Sequence, residues 1–77
     1  MYKLRVIIDI ENDIITINLS DSFKTEEEAV SSRYLLMKSL FVDIERQNFI
    51  YIDNAGIIIN TKNIKHVKCE IVNDKEA

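Results

Sequence analysis

Hydrophobic and polar positions alternate from the first residues of the chain: Tyr2, Leu4, Val6, Ile8 and Ile10 share one parity, and Lys3, Arg5, Ile7 and Asp9 share the other. A period of two marks a strand with one face on a core. After the polar stretch Glu11-Asn12-Asp13, the run Ile14 to Ser20 is apolar and polar by turns again. A two-residue loop at Asn12-Asp13 suits the positive φ angles of a type I′ turn, which predicts a hairpin. Folding about that loop sets Ile10 opposite Ile15, Ile8 opposite Ile17 and Val6 opposite Leu19, so the apolar pairs fall on one face. The pairs Asp9–Thr16, Ile7–Asn18 and Arg5–Ser20 give the other face a mostly polar surface.

The period changes after Lys24. Thr25-Glu26-Glu27-Glu28 reads as a capping box, with the threonine hydroxyl accepting from the Glu28 amide and three acids at the positive end of a helix. At 100° per residue, Val30, Tyr34, Met37, Phe41 and Ile44 form one stripe, widened by Ala29, Arg33 and Leu40, through Gln47. This stripe predicts the face that covers the sheet, with Met37 and Phe41 buried. Leu35 and Val42 point the opposite way, with Ser31 and Ser39 small enough beside them for another helix to approach closely.

Phe49 to Asp53 and Gly56 to Asn60 flank a turn signal at Asp53-Asn54-Ala55-Gly56 and predict a second hairpin. Ile52 opposite Ile57 and Ile50 opposite Ile59 lie on the core side, which leaves Phe49, Tyr51 and Ile58 outside; a bulge at Gly56 would shift this register by one. Ile64 to Val72 alternates once more, with Val67, Cys69 and Ile71 on one side and His66, Lys68 and Glu70 on the other. The predicted class is α+β in the order ββαβββ: an antiparallel sheet of about five strands with one helix packed on one face. Residues 1–72 make one domain and 73–77 a polar tail.

Seventy-seven residues with 47% hydrophobic composition and a net charge of −3 can fold, but such a chain has one modest core. Oligomerisation is therefore an expected means of support. The acidic balance argues against broad attraction to nucleic acid or anionic lipid. No apolar run approaches the roughly 18 to 20 residues of a membrane span, and Met1 to Asp9 lacks the long apolar core of a signal peptide. With one cysteine there is no intrachain disulfide. These features together predict an intact cytoplasmic protein without a membrane partner. Fourteen isoleucines, seven asparagines, and seven lysines against three arginines match proteins of AT-rich genomes.

The chemistry the residues exclude is more specific than what they offer. One glycine rules out the phosphate-cradling loops, which need several residues without side chains. His66 and Cys69 are three apart on a strand and project to opposite faces, so without a bulge they share neither a metal nor a proton. The glutamates of the capping box are accounted for by the helix end. No catalytic, metal or cofactor residue is assigned, and the chain is expected to be no enzyme.

Two surfaces remain as candidates. The helix back, Leu35, Ser39 and Val42, predicts docking of a protein partner or of a second copy. The outer sheet face mixes Lys3, Arg5, His66 and Lys68 with Phe49 and Tyr51, a combination that stacks and neutralises single-stranded nucleic acid or meets a protein. Nucleic acid is the runner-up, and the acids Asp9 and Glu70 on that face weigh against it.

The stretch Phe49 to Val67, FIYIDNAGIIINTKNIKHV, resembles the final strands of short proteins from phages and mobile elements of low-GC Gram-positive bacteria. It spans about a quarter of the chain, contains no diagnostic motif and transfers no functional residue. The resemblance implies a protein of phage or mobile-element origin that binds a host or phage protein.

Overall fold

The computed structural model describes residues 1–52 and 56–73. The order is β1 (Tyr2–Ile10), β2 (Asp13–Phe23), α1 (Glu26–Arg46), β3 (Phe49–Ile52), β4 (Ile57–Asn60), a 3-10 turn (Thr61–Asn63) and β5 (Ile64–Asn73). The α+β class and the ββαβββ order stand as the alternation predicts. The five antiparallel strands divide into a three-stranded sheet, ordered β2-β1-β5, and the two-stranded sheet β3-β4.

β1 is the central strand, and its inward side chains Leu4, Val6 and Ile8 are buried. Val6 lies opposite Ile17 and Ile8 opposite Ile15, two residues away from the register predicted by a turn at Asn12-Asp13. The chain turns instead at Glu11-Asn12. No described residue other than glycine has positive φ, so this is not a type I′ turn. A register irregularity between Lys3 and Arg5 then restores the pairing of Tyr2 with Phe23. A slip of two residues leaves every side chain on its own face, so the apolar pattern is equally satisfied by either register.

Thr25 caps α1 as its sequence dictates. Its Oγ1 accepts from the Glu28 amide at 3.2 Å, and its own amide donates to the Glu28 carboxylate at 3.3 Å. The helix meets the sheet through Ala29, which is fully buried, and through Leu36 and Leu40, which pack against the core. Three expectations are overturned here: Val30, Tyr34 and Phe41 are exposed, Phe41 at 60%. Met37 and Ile44 sit half-buried on the shoulder between the two faces. The helix is rotated by about one residue from the predicted stripe, which turns Ala29, Leu36 and Leu40 inward.

Ile50 and Ile59 of β3 and β4 are buried opposite each other, and Ile59 joins Val6, Ile8 and Ile17 in the core. Helix and hairpin therefore cover the same side of the three-stranded sheet. The register of β3 and β4 is the predicted one; the turn residues 53–55 lie outside the described residues, as do 74–77. Thr61 locks this layer in place. Its hydroxyl donates to the carbonyls of Gln47 at 2.9 Å and Asn48 at 3.1 Å, tying the turn before β5 to the end of α1.

Candidate functional site

The outer face of the three-stranded sheet gathers Lys3, Arg5, Ile7 and Asp9 from β1 with His66, Lys68, Glu70 and Val72 from β5, since directly opposed residues share a face. Its charges are interleaved. Arg5 lies opposite Glu70 and donates from Nε to the Asn18 Oδ1 at 3.0 Å, and His66 Nδ1 is 3.4 Å from an Asp9 oxygen. The expected aromatic partners, Phe49 and Tyr51, belong to the other sheet. The structure thus brings Lys3, Arg5, His66 and Lys68 together and separates them from the rings that would stack bases.

Phe49 and Tyr51 have a different neighbour. Tyr51 lies opposite Ile58, and the outer face of the hairpin presents Phe49, Tyr51 and Ile58 at 56%, 62% and 67% exposure. With Gln47 they line a shallow, mainly apolar depression. The local cause is strand alternation: Ile50 and Ile59 must face the core, so the residues between them face outward.

On the helix back, Leu35 is 64% exposed and Val42 40%, with Ser39 exposed between them. The rotation of α1 adds a second apolar row, Val30, Tyr34 and Phe41, that the sequence reading assigns to the core. The missed signal is the width of the apolar arc, too broad for one sheet contact to cover. Val30 and Tyr34 of this row border a groove whose far wall is β5, through Val67, Lys68 and Cys69.

Cys69 sits in that groove, half-buried among the residues around the core. Burial pushes its thiol pKa up, while the Arg33 guanidinium nearby pulls the other way. His66 lies on the outer face beside Asp9, on the side of β5 away from Cys69, and does not meet the thiol. Among the described residues no three metal-capable side chains cluster, and no helix is long and apolar enough to cross a membrane. Comparison of the chain with protein-family models, with curated proteins and with solved structures finds no match.

Proposed function

We propose that this chain is a small non-enzymatic interaction protein that acts by binding another protein through the apolar outer face of the β3-β4 hairpin. One observation carries this reading: Phe49, Tyr51 and Ile58 are contiguous, and each is more than half exposed. A patch of aromatic and branched side chains on a hairpin supplies the kind of anchors on which protein interfaces concentrate their binding energy. Leu35 and Val42 on the helix back offer a second, smaller surface of the same character. An origin in a phage or mobile element belongs to the same proposal, resting on the resemblance of residues 49–67.

The runner-up, nucleic-acid binding on the outer face of the three-stranded sheet, is supported by the grouping of Lys3, Arg5, His66 and Lys68. Asp9 and Glu70 in the same rows offset that charge. Affinity capture with the wild-type protein, set beside a Tyr51→Ser, Ile58→Ser double variant that keeps its circular dichroism, tests the reading. Loss of a specific captured protein from the double variant supports it. An identical protein profile for both, or a salt-dependent gel shift by the wild type alone, overturns it.

A further inference from the structure

Among the described strands, β5 lies at an edge of the three-stranded sheet. Its pairing with β1 runs without interruption from Tyr2–Asn73 to Asp9–His66, so residues 66–73 form a regular edge on the side facing away from β1. A straight strand edge offers a row of backbone donors and acceptors to another strand. The groove beside it is open: Val67, Cys69 and Ile71, on the core side of β5, are only half-buried, and Val30 and Tyr34 of α1 overlook them at 41% and 65% exposure.

We infer that the occupant of this edge is a second copy of the chain, pairing β5 with β5 antiparallel about a two-fold axis at Cys69. The sequence of the strand selects both partner and register. With Cys69 on the axis, Lys68 of each copy opposes Glu70 of the other, and Val67 opposes Ile71, so charge meets opposite charge on one face and apolar meets apolar on the other. Moving the axis to residue 68 or 70 sets Lys68 against Lys68 or Glu70 against Glu70. Like charges directly opposed disfavour both. Moving it by half a step sets core-side residues against outer-side residues and sends the two helices to opposite faces of the joined sheet.

The Cys69-centred register also uses the helix. α1 runs antiparallel to β5, with Glu26 and Val30 near Glu70, Ile71 and Asn73, and Tyr34 and Met37 near Val67 and Lys68. Tyr34 therefore stands close to the proposed axis. Both helices then lie on the same side of a six-stranded sheet, and Val30 and Tyr34 of the two copies face each other over the junction. A buried aromatic side chain covers about 150–250 Å², and Tyr34 is 65% exposed. Tyr34 alone supplies roughly a sixth of the approximately 800 Å² that a stable interface buries on each side. The strand edge and its side chains supply area of the same order. This pairing is isologous, as a two-fold dimer requires, and it leaves the hairpin face of Phe49, Tyr51 and Ile58 uncommitted.

Charge exchange tests the register. The wild-type chain is expected to sediment at twice its 9.0 kDa mass. Lys68→Glu and Glu70→Lys, each alone, place like charges in opposition and should shift the protein to the single-chain mass with unchanged circular dichroism. An equimolar mixture of the two variants restores two Lys–Glu oppositions and should return to the double mass. Because Glu70 also faces Arg5, a second measurement uses the wild type alone: amides of β5 that point away from β1 should lose hydrogen-exchange protection on dilution, while those of β1 keep theirs. A wild type that sediments as a monomer at every concentration overturns the inference. Single variants that remain dimeric, a mixture that stays monomeric, or β5 protection independent of concentration do so too. None of these outcomes touches capture through Tyr51 and Ile58, so the two proposals fail separately.

Discussion

Leu35 and Leu36 are neighbours of the same type on the same helix, and their truncation measures which way α1 faces. Leu36 packs against the core of Val6, Ile8, Ile17 and Ile59, whereas Leu35 is 64% exposed. Leu→Ala at a buried site costs about 2–5 kcal/mol; Leu36, half-buried, belongs near the lower end, at about 2–3 kcal/mol. Full burial of a leucine side chain contributes about 1.5–3 kcal/mol, so the third of Leu35 that is covered amounts to roughly 0.5–1 kcal/mol. The slightly better helix propensity of alanine offsets about 0.2 kcal/mol of that. The same propensity change applies at both positions, so it cancels in the comparison. At about 0.05–0.15 kcal/mol per residue, a 77-residue domain has only about 4–12 kcal/mol in all. Leu36→Ala should therefore lower the melting temperature by about 10–20 °C, at about 4–8 °C per kcal/mol, and Leu35→Ala by no more than about 5 °C. Urea unfolding followed by far-ultraviolet circular dichroism, at concentrations where the chain sediments as a monomer, gives the free energies directly. Equal losses, or a larger one at Leu35, would refute the helix orientation. A harmless Leu36→Ala joined to a costly Phe41→Ala would restore the stripe of Val30, Tyr34, Met37 and Phe41 as the buried face.

The capping box at Thr25 satisfies an amide that the helix itself leaves open, so Thr25→Ala should destabilise by about 1 kcal/mol in urea titration. Ser22→Ala, in β2, should leave the midpoint nearly unchanged. Burial holds the Cys69 thiol protonated beyond its ordinary range, so iodoacetamide should alkylate the folded protein more slowly than the urea-unfolded chain at the same alkaline pH. The sign follows from linkage. A thiol pKa raised by folding contributes stability below the unfolded-state value, and that contribution is lost as pH rises through the folded-state value. The unfolding midpoint of the wild type should accordingly fall on the alkaline side more steeply than that of Cys69→Ala.

What the sequence determines by itself is local. The alternation of β1, the capping box at Thr25 and the register of β3 with β4 each depend on residues within a few positions of one another, and each is found where the pattern places it. The exposure of Phe49, Tyr51, Ile58, Leu35 and Val42 follows from the same alternation and helical spacing. The tertiary structure decides whatever the pattern leaves degenerate. A two-residue slip between β1 and β2 preserves every face, so the turn, not the hydrophobic code, chooses between registers. The apolar arc of α1 is wide enough for either of two faces to meet the sheet. The packed helix turns Ala29, Leu36 and Leu40 inward and leaves Tyr34 and Phe41 outside. The partner of β5 is set by contacts across sixty residues of chain, which no local spacing encodes. That long-range pairing parts the basic rows of Lys3, Arg5, His66 and Lys68 from Phe49 and Tyr51, and it leaves β5 as an open edge beside the exposed flank of the helix.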